Sequence, residues 1–485
     1  MLADVSLAVR ELPADLETPL SVYLKLAGEG PSFLLESVTG GEHVARYSFI
    51  GIQPRRAFVF HGQQMIVEAP SGGLSEPEYR GESVAGPFVG LRRAIQAVSA
   101  AGIQRQAGMP RFSGGLVGYL GYETVRFIEP SVPLAPPTDI PDTIFLQTDT
   151  LVAFDHATNR LVLIARGPDA RARLDEIVGR LNGELDLSRL RVKKGTNGKQ
   201  SDLRSNMTRE QFVQAVLKAK EHIAAGDIFQ AVLSQRLSCE TDADPLAIYR
   251  SLRRLNPSPY MYFFDFSGLV SVGPEPLLII GASPEMHVRL EGRKAAMRPI
   301  AGTRRRGAST EEDQALEAEL LADPKERAEH TMLVDLARND LGRVCNYGSL
   351  RVTQQMAVEH YSHVMHIVSQ VEGELRPELD AFDLMQATFP AGTVSGAPKV
   401  RAMQIINDLE IQPRGPYAGA VGYFSYDGSM DTCITIRTLV IQGRKVSVQA
   451  GAGIVADSDP ESEYQETLNK ARALIVAVEK AREGW

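Results

Sequence analysis

The chain has 485 residues, 44% hydrophobic and 23% charged, which is enough apolar side chain for a large folded body and too much length for one simple core. Its net charge of -8 repels nucleic acid and anionic membrane at long range, which excludes both as non-specific partners and favours a small molecule. Cys239, Cys345 and Cys433 lie far apart with no Cys-x-x-Cys pair, and neither a secretory leader nor a run of about 18 apolar residues is expected, so the setting reads as reducing and cytoplasmic.

In chain order, residues 1–190 form an N-terminal region with two recognisable segments, Leu34 to Ser37 and the glycine-rich run Gly114 to Tyr122. The second run resembles Gly419 to Tyr426 once Gly115 is set against Gly419, either as two unrelated strands or as two related sheets facing each other. Both readings predict close backbone approach at the glycines. Residues 191–206 are rich in Lys, Gly, Asn, Ser and Gln and read as a linker. Thr208 with Gln211 predicts a capping box for a helix that buries Phe212, Val213, Val216, Ala219 and Ile223 and stops at Gly226. Within residues 207–485, strands are expected at Ile228 to Leu233, Leu277 to Ile280, Met286 to Leu290, Ile434 to Ile441 and Lys445 to Gln449. Helices are expected at Glu312 to Leu321, Lys325 to Asn339 and Pro398 to Leu409. So many strands imply an α+β body with large antiparallel sheets.

The final helix has the clearest signature, because Asp459 and Pro460 supply an N-cap and a first-turn proline. At about 100° per residue, Tyr464, Leu468, Ala471, Ile475 and Val478 share an apolar arc, while Glu463, Glu466 and Lys470 share an adjoining one. Such a face is as readily a solvated one with an ordinary pair between Glu466 and Lys470. Glu326 and Glu329 repeat the carboxylate spacing, and two such pairs face to face suit Mg²⁺, although Glu-x-x-Glu is also common on exposed helices. The run Phe389 to Lys399 enters a helix at Pro398 with free N–H groups that favour an anion; a plain turn fits it as well. Gln449 to Ile454, expected between a strand and the final helix, offers unobstructed backbone donors. Arg437, expected inside the apolar strand Ile434 to Val440, is a fork donor for a carboxylate or half of a buried ion pair.

The runs PIAGTRRRG from Pro299, ERAEHTMLVDLARNDLGRV from Glu326, HVMHIVSQVEGEL from His363, AGTVSGAPKVRAMQII from Ala391, MDTCITIRT from Met430 and AGAGIVADSDPESEYQET from Ala450 resemble the chorismate-utilising enzymes in order and type. More specifically, they resemble the anthranilate synthase large subunit. The resemblance covers most of residues 205–485 and is thinner before residue 190, where it rests on LLES and the glycine-rich run. It implies a sandwich of large antiparallel sheets with helices outside, the N-terminal region interleaved with a chorismate-binding catalytic body, and a lyase of tryptophan biosynthesis.

The resemblance also implies roles. Glu326, Glu329, Glu463 and Glu466 would surround Mg²⁺, which anchors the ring carboxylate of chorismate. Tyr417, Arg437, Gly453 and Lys470 would hold the enolpyruvyl carboxylate and its surroundings, with Gln230, Ala301, Gly302, Thr303 and Gly451 completing the pocket and Thr393 near the reacting groups. His366, by spacing alone a core histidine, would protonate the departing C4 oxygen, and Glu285 would serve as a later acid or base. Water-adding relatives carry a lysine base where this chain has Gln230, so ammonia is the expected nucleophile. Relatives making 4-amino-4-deoxychorismate carry a lysine in PIKGT where this chain has Ala301, so anthranilate is favoured over that alternative product. No glutamine-hydrolysing domain is expected after the final helix, so a separate glutamine amidotransferase subunit is expected, in a heterotetramer. Glu36, Ser37, Pro259, Tyr260 and Met261 resemble the family's tryptophan feedback pocket.

Overall fold

The computed structural model describes residues 6–28, 30–38, 46–69, 80–99, 108–133, 139–185, 203–361 and 364–483. Two twelve-stranded antiparallel sheets form its body. In the first, strands Leu7–Pro13, Arg160–Arg166, Thr150–Asp155, Tyr47–Ile52 and Ser32–Glu36 lead through Tyr260–Asp265 to Leu277–Ser283, Thr438–Gln442, Lys445–Ile454 and Gln230–Glu240. In the second, Ile300–Arg305, Val364–Glu374, Lys294–Met297, Met286–Glu291, Met430–Ile434 and Ala420–Ser425 lead to Gly115–Leu120, Thr143–Thr148 and Arg56–His61. Each sheet therefore mixes strands from before and after residue 200. The joins are Ser32–Glu36 against Tyr260–Asp265 and Gly115–Leu120 against Ala420–Ser425.

Alternating side chains explain why these segments lie between layers. On Gly115–Leu120, Val117 and Tyr119 enter the core between the sheets, whereas Leu116 and Leu120 face the helices outside the second sheet. On Leu277–Ser283, Leu277 and Ile279 face the other sheet, and Leu278 and Ile280 face the helices Pro19–Leu26, Ala170–Leu181, Pro245–Leu255 and Pro460–Glu483. Strands covered on both faces read as continuous apolar runs, which is how Leu277 to Ile280 stands out in the sequence. The architecture is the expected sandwich with helices outside.

Several local expectations need correction. The segment Ile434 to Ile441 is two strands in different sheets, Met430–Ile434 and Thr438–Gln442, and Arg437 sits between them at φ +51°. Apolar periodicity cannot reveal such a break when both pieces are buried. Gln449 to Ile454 lies inside the long strand Lys445–Ile454, paired with Gln230–Glu240, so its backbone is partly engaged. The two glycine-rich runs are adjacent strands of one sheet, with Ala420 opposite Leu120 and Ser425 opposite Gly115. A Cβ on Gly422 would stand 2.1 Å from the Asp431 carbonyl, so the predicted close approach is present. Of residues 191–206, Arg204–Ser205 form a short strand against Leu237 and Ser238, and 191–202 lie outside the described residues.

Candidate active site

Two neighbouring chain crossings between the sheets create the site. One runs from Leu277–Ser283 to Met286–Glu291 and carries Glu285; the other runs from Met430–Ile434 to Thr438–Gln442 and carries Arg437. They are laced together by Ile434 N–H to the Glu285 carbonyl at 3.1 Å and Ala282 N–H to the Arg437 carbonyl at 3.0 Å. Glu285 and Arg437 thus lie on crossings that are hydrogen-bonded to each other through their backbones.

Above this junction stand two helices that are remote in sequence. Pro324–Gly342, N-capped by Asp323, packs on Ile300–Arg305 and Val364–Glu374 of the second sheet. Pro460–Glu483, started by Asp459 accepting from the Ser462 N–H at 2.9 Å, packs on Lys445–Ile454 of the first. Their carboxylates share one space. Burial raises the Glu329 carboxyl above its ordinary range, aided by Glu326 on its own helix and Glu466 on the other; Lys325 and Lys470 oppose the shift. Burial likewise raises Glu463, aided by Glu466 and opposed in part by Lys470 and by Lys325 from the facing helix. Glu326 pairs with Arg304 at 3.1 Å, and Glu466 pairs with Lys470 at 2.6 Å, the i,i+4 pair expected from the sequence. Among the described residues no three His, Cys, Asp or Glu side chains close into a ready-made cage; what links the two helices is that Glu329 feels Glu466 and Glu463 feels Lys325. The glutamates' oxygen donors and mutual repulsion fit a hard divalent cation.

Two titratable groups in the site, His366 and Glu285, have shifted proton affinities. A β-bulge between Ala301 and Thr303 sets Gly302 at φ +69° and directs its carbonyl to His366 Nδ1 at 2.9 Å. A carbonyl only accepts, so Nδ1 bears the hydrogen and Nε2 is left bare. Thr303 Oγ1 lies 3.1 Å from the same Nδ1, and the Tyr361 ring stands edge-on at 5.6 Å. Burial lowers the His366 pKa, so a proton placed on the ring is readily given away. Glu285 accepts from Thr393 Oγ1 at 2.9 Å, and burial raises its carboxyl to about 7.

Beside Glu466 lies a cationic and amide-lined wall. The Arg437 guanidinium donates only to the Lys470 carbonyl, at 3.3 Å, and forms no ion pair among the described residues. Burial lowers its pKa, which marks a cation in want of an anion. Lys470 Nζ donates to the Gly451 carbonyl at 3.0 Å. Gly451 and Gly453 give room to their neighbours: a Cβ on Gly451 would stand 2.6 Å from the Tyr417 hydroxyl, and one on Gly453 2.5 Å from Gln230 Nε2. Gln230 opens its strand opposite Ala397, and Ala301 presents only a buried methyl group. The Phe389–Lys399 segment contributes Thr393; Lys399 turns inward to Asp340 at 2.8 Å.

A second cavity lies between the sheets, and Glu36, Ser37, Pro259, Tyr260 and Met261 all line it. Arg253 holds Glu36 from behind at 3.0 and 3.1 Å, while the buried Ser37 hydroxyl has no partner among the described residues. Tyr260 donates to Asp431 at 3.0 Å, and Arg289 pairs with the same carboxylate at 2.8 Å.

Residues 30–476 match the family described as chorismate binding enzyme. This chain belongs to that family. Anthranilate synthase component 1 of Pseudomonas putida is 45% identical over 98% of this chain and 95% of its own length, and that of Aquifex aeolicus is 47% identical over 98% and 94%. The crystal structure of anthranilate synthase component I from Streptococcus pneumoniae superposes with a TM-score of 0.76 at 35% identity, covering 96% of this chain and 99% of that one. The menaquinone-specific isochorismate synthase of Escherichia coli, at 20% identity and TM-score 0.70, shares the fold. Within the family, this chain groups with the component 1 enzymes.

For this chorismate-binding enzyme, reading the sequence missed Arg304, which holds Glu326 and also pairs with Asp323 at 2.8 Å, although it lies within the quoted run PIAGTRRRG. It missed Tyr361 beside His366, and Arg289 in the second cavity, whose partner Asp431 lies in the quoted run MDTC. These are tertiary pairings with no local spacing to announce them. Among the described residues, no helix is long and apolar enough to cross a membrane.

Proposed function

We propose that the chain converts chorismate and ammonia to anthranilate, pyruvate and water, with Mg²⁺ held by Glu326, Glu329, Glu463 and Glu466. The observation that carries this reading is the facing of two glutamate pairs next to the Arg437 cation, which forms no ion pair among the described residues. A dianion with two separated carboxylates fits such a site, one end toward a divalent cation and the other toward Arg437, Tyr417 and Lys470. Bound there, the cation supplies positive charge for the ring carboxylate and offsets the repulsion among the glutamates.

The chain's own residues do the rest. His366 presents Nε2 and, once charged, gives its proton to the departing C4 oxygen as ammonia adds at C2. Glu285, with its carboxyl near 7, exchanges a proton with the adduct as the C2 hydrogen is lost, pyruvate leaves and the ring becomes aromatic. Gln230 has no basic nitrogen with which to activate water, and Ala301 has no nucleophile, which favours the ortho-amino product. Ammonia is delivered by a glutamine amidotransferase subunit in a heterotetramer, consistent with the "component 1" in the names of the relatives. Tryptophan is the inhibitor proposed for the second cavity. Incubation with chorismate, Mg²⁺ and ammonium at high pH tests the reaction: equal amounts of anthranilate and pyruvate are expected, and a non-aromatic amine without pyruvate would instead mean aminodeoxychorismate synthesis.

A further inference from the structure

One buried cation outside the reacting groups touches three walls of the pocket. Arg414 is only 2% exposed and lies on the turn that leads to Tyr417. Its Nη1 donates to the Val394 carbonyl at 2.7 Å, one residue beyond Thr393. Its Nη2 donates to the Val232 carbonyl at 2.7 Å, and Val232 lies opposite Gly453, two residues from Gln230. The guanidinium also lies over the Tyr417 ring at 5.6 Å and the Tyr122 ring at 4.6 Å. Glu410 balances the charge with contacts at 2.9 and 2.7 Å, and its Oε1 accepts from the Ser234 N–H and hydroxyl at 2.8 Å each. Glu123 fixes the turn itself, accepting from the Arg414 N–H at 2.7 Å and the Gly415 N–H at 2.9 Å.

We propose that Arg414, set by Glu410, is a positioning residue for the pocket's anion-binding wall, fixing Tyr417, Thr393 and the Gln230–Gly453 corner relative to one another. The chemistry requires arginine. A planar fork makes divergent bonds to two carbonyls and a carboxylate while stacking on an aromatic face, whereas a lysine ammonium is a compact charge that reaches fewer of these partners at once. Because Arg414 contacts the frame of the binding wall and none of Glu285, His366 or the four glutamates, its role falls on substrate binding more than on proton transfer.

The inference rests on the proposal that this pocket holds chorismate, and the wild-type KM for chorismate tests that separately: if wild type does not turn over chorismate, the functional reading fails first. Given an active wild type, R414K is expected to raise the KM for chorismate about tenfold with kcat changed less than about threefold and the KM for ammonium unmoved. A purely structural role lowers the active fraction, which reduces apparent kcat and leaves KM in place, and that result would overturn the proposal. So would unchanged kinetics in folded R414K. If R414K is insoluble, E410Q decides, since it leaves the guanidinium and its carbonyl partners present. A rise of about threefold in the chorismate KM supports the proposal, and an unchanged KM contradicts it.

Discussion

Burial pushes proton affinities in opposite directions at neighbouring residues, raising the Glu285 carboxyl to about 7 and lowering the His287 imidazole to about 4. In kcat/KM, which reports the free enzyme, an acid limb centred near pH 7 is expected, and it should be missing from the residual activity of Glu285→Gln, itself about a hundredfold or more below wild type. The same shift has a stability sign. The folded carboxyl holds its proton more tightly than the unfolded one at 4.5, so wild type loses stability as pH rises from 4.5 through 7, whereas Glu285→Gln does not. Thermal melts at pH 5 and 8 should show the variant's relative Tm improving at the higher pH. His287 works the other way: it is 2% exposed, and below 6.5 the unfolded chain takes up a proton that the fold refuses until about 4. Wild type should therefore lose about 2–3 kcal/mol between pH 6.5 and 4 that His287→Gln retains, read as a difference in denaturation midpoints.

At the scale of elements, the strand Lys445–Ile454 lacks side chains at 451 and 453 because other groups fill that space. The two positions differ in what would have to move. At Gly451 a Cβ meets the Tyr417 hydroxyl at 2.6 Å and the Leu233 carbonyl at 2.9 Å, a rigid ring and a backbone atom, whereas at Gly453 it meets the end of the flexible Gln230 side chain at 2.5 Å. Gly451→Ala should lower both Tm and activity, while Gly453→Ala should keep Tm within about 2 °C and raise the chorismate KM; equal effects on Tm would contradict this. Elements of this kind were readable to different depths. The capping box of Thr208 and Gln211, the start of the final helix at Asp459 and the Glu-x-x-Glu faces follow from local rules, and the structure has them. The break at Arg437, the bulge at Gly302 and the pairing of the two glycine-rich runs depend on which sheet each strand joins, which no local pattern encodes. For the same reason the spacing of Glu326 and Glu329 reveals a shared helix face, but only the tertiary arrangement shows that Glu463 and Glu466 lie across from it.

Across the whole molecule, the glutamates sit on helices carried by different sheets, and the sheets are tied together at the Glu285 and Arg437 crossings. Strands from the first 170 residues extend both sheets and bring Glu36 and Ser37 into the cavity between them, where Asp431 and Cys433 also lie. The strand Met430–Ile434 thus runs from that cavity, lined by Asp431 and Cys433, to the pocket beside Glu285 and Thr393, which Ile434 lines. The proposed chemistry depends most on a single divalent ion being held jointly by the two helices. Titration of Mn²⁺, followed by its electron paramagnetic resonance signal in the presence of chorismate, measures that directly. One site per chain is expected, weakened about a hundredfold or more by either Glu329→Gln or Glu466→Gln. If either substitution leaves the Mn²⁺ affinity unchanged while the other abolishes it, the two helices do not hold the ion jointly.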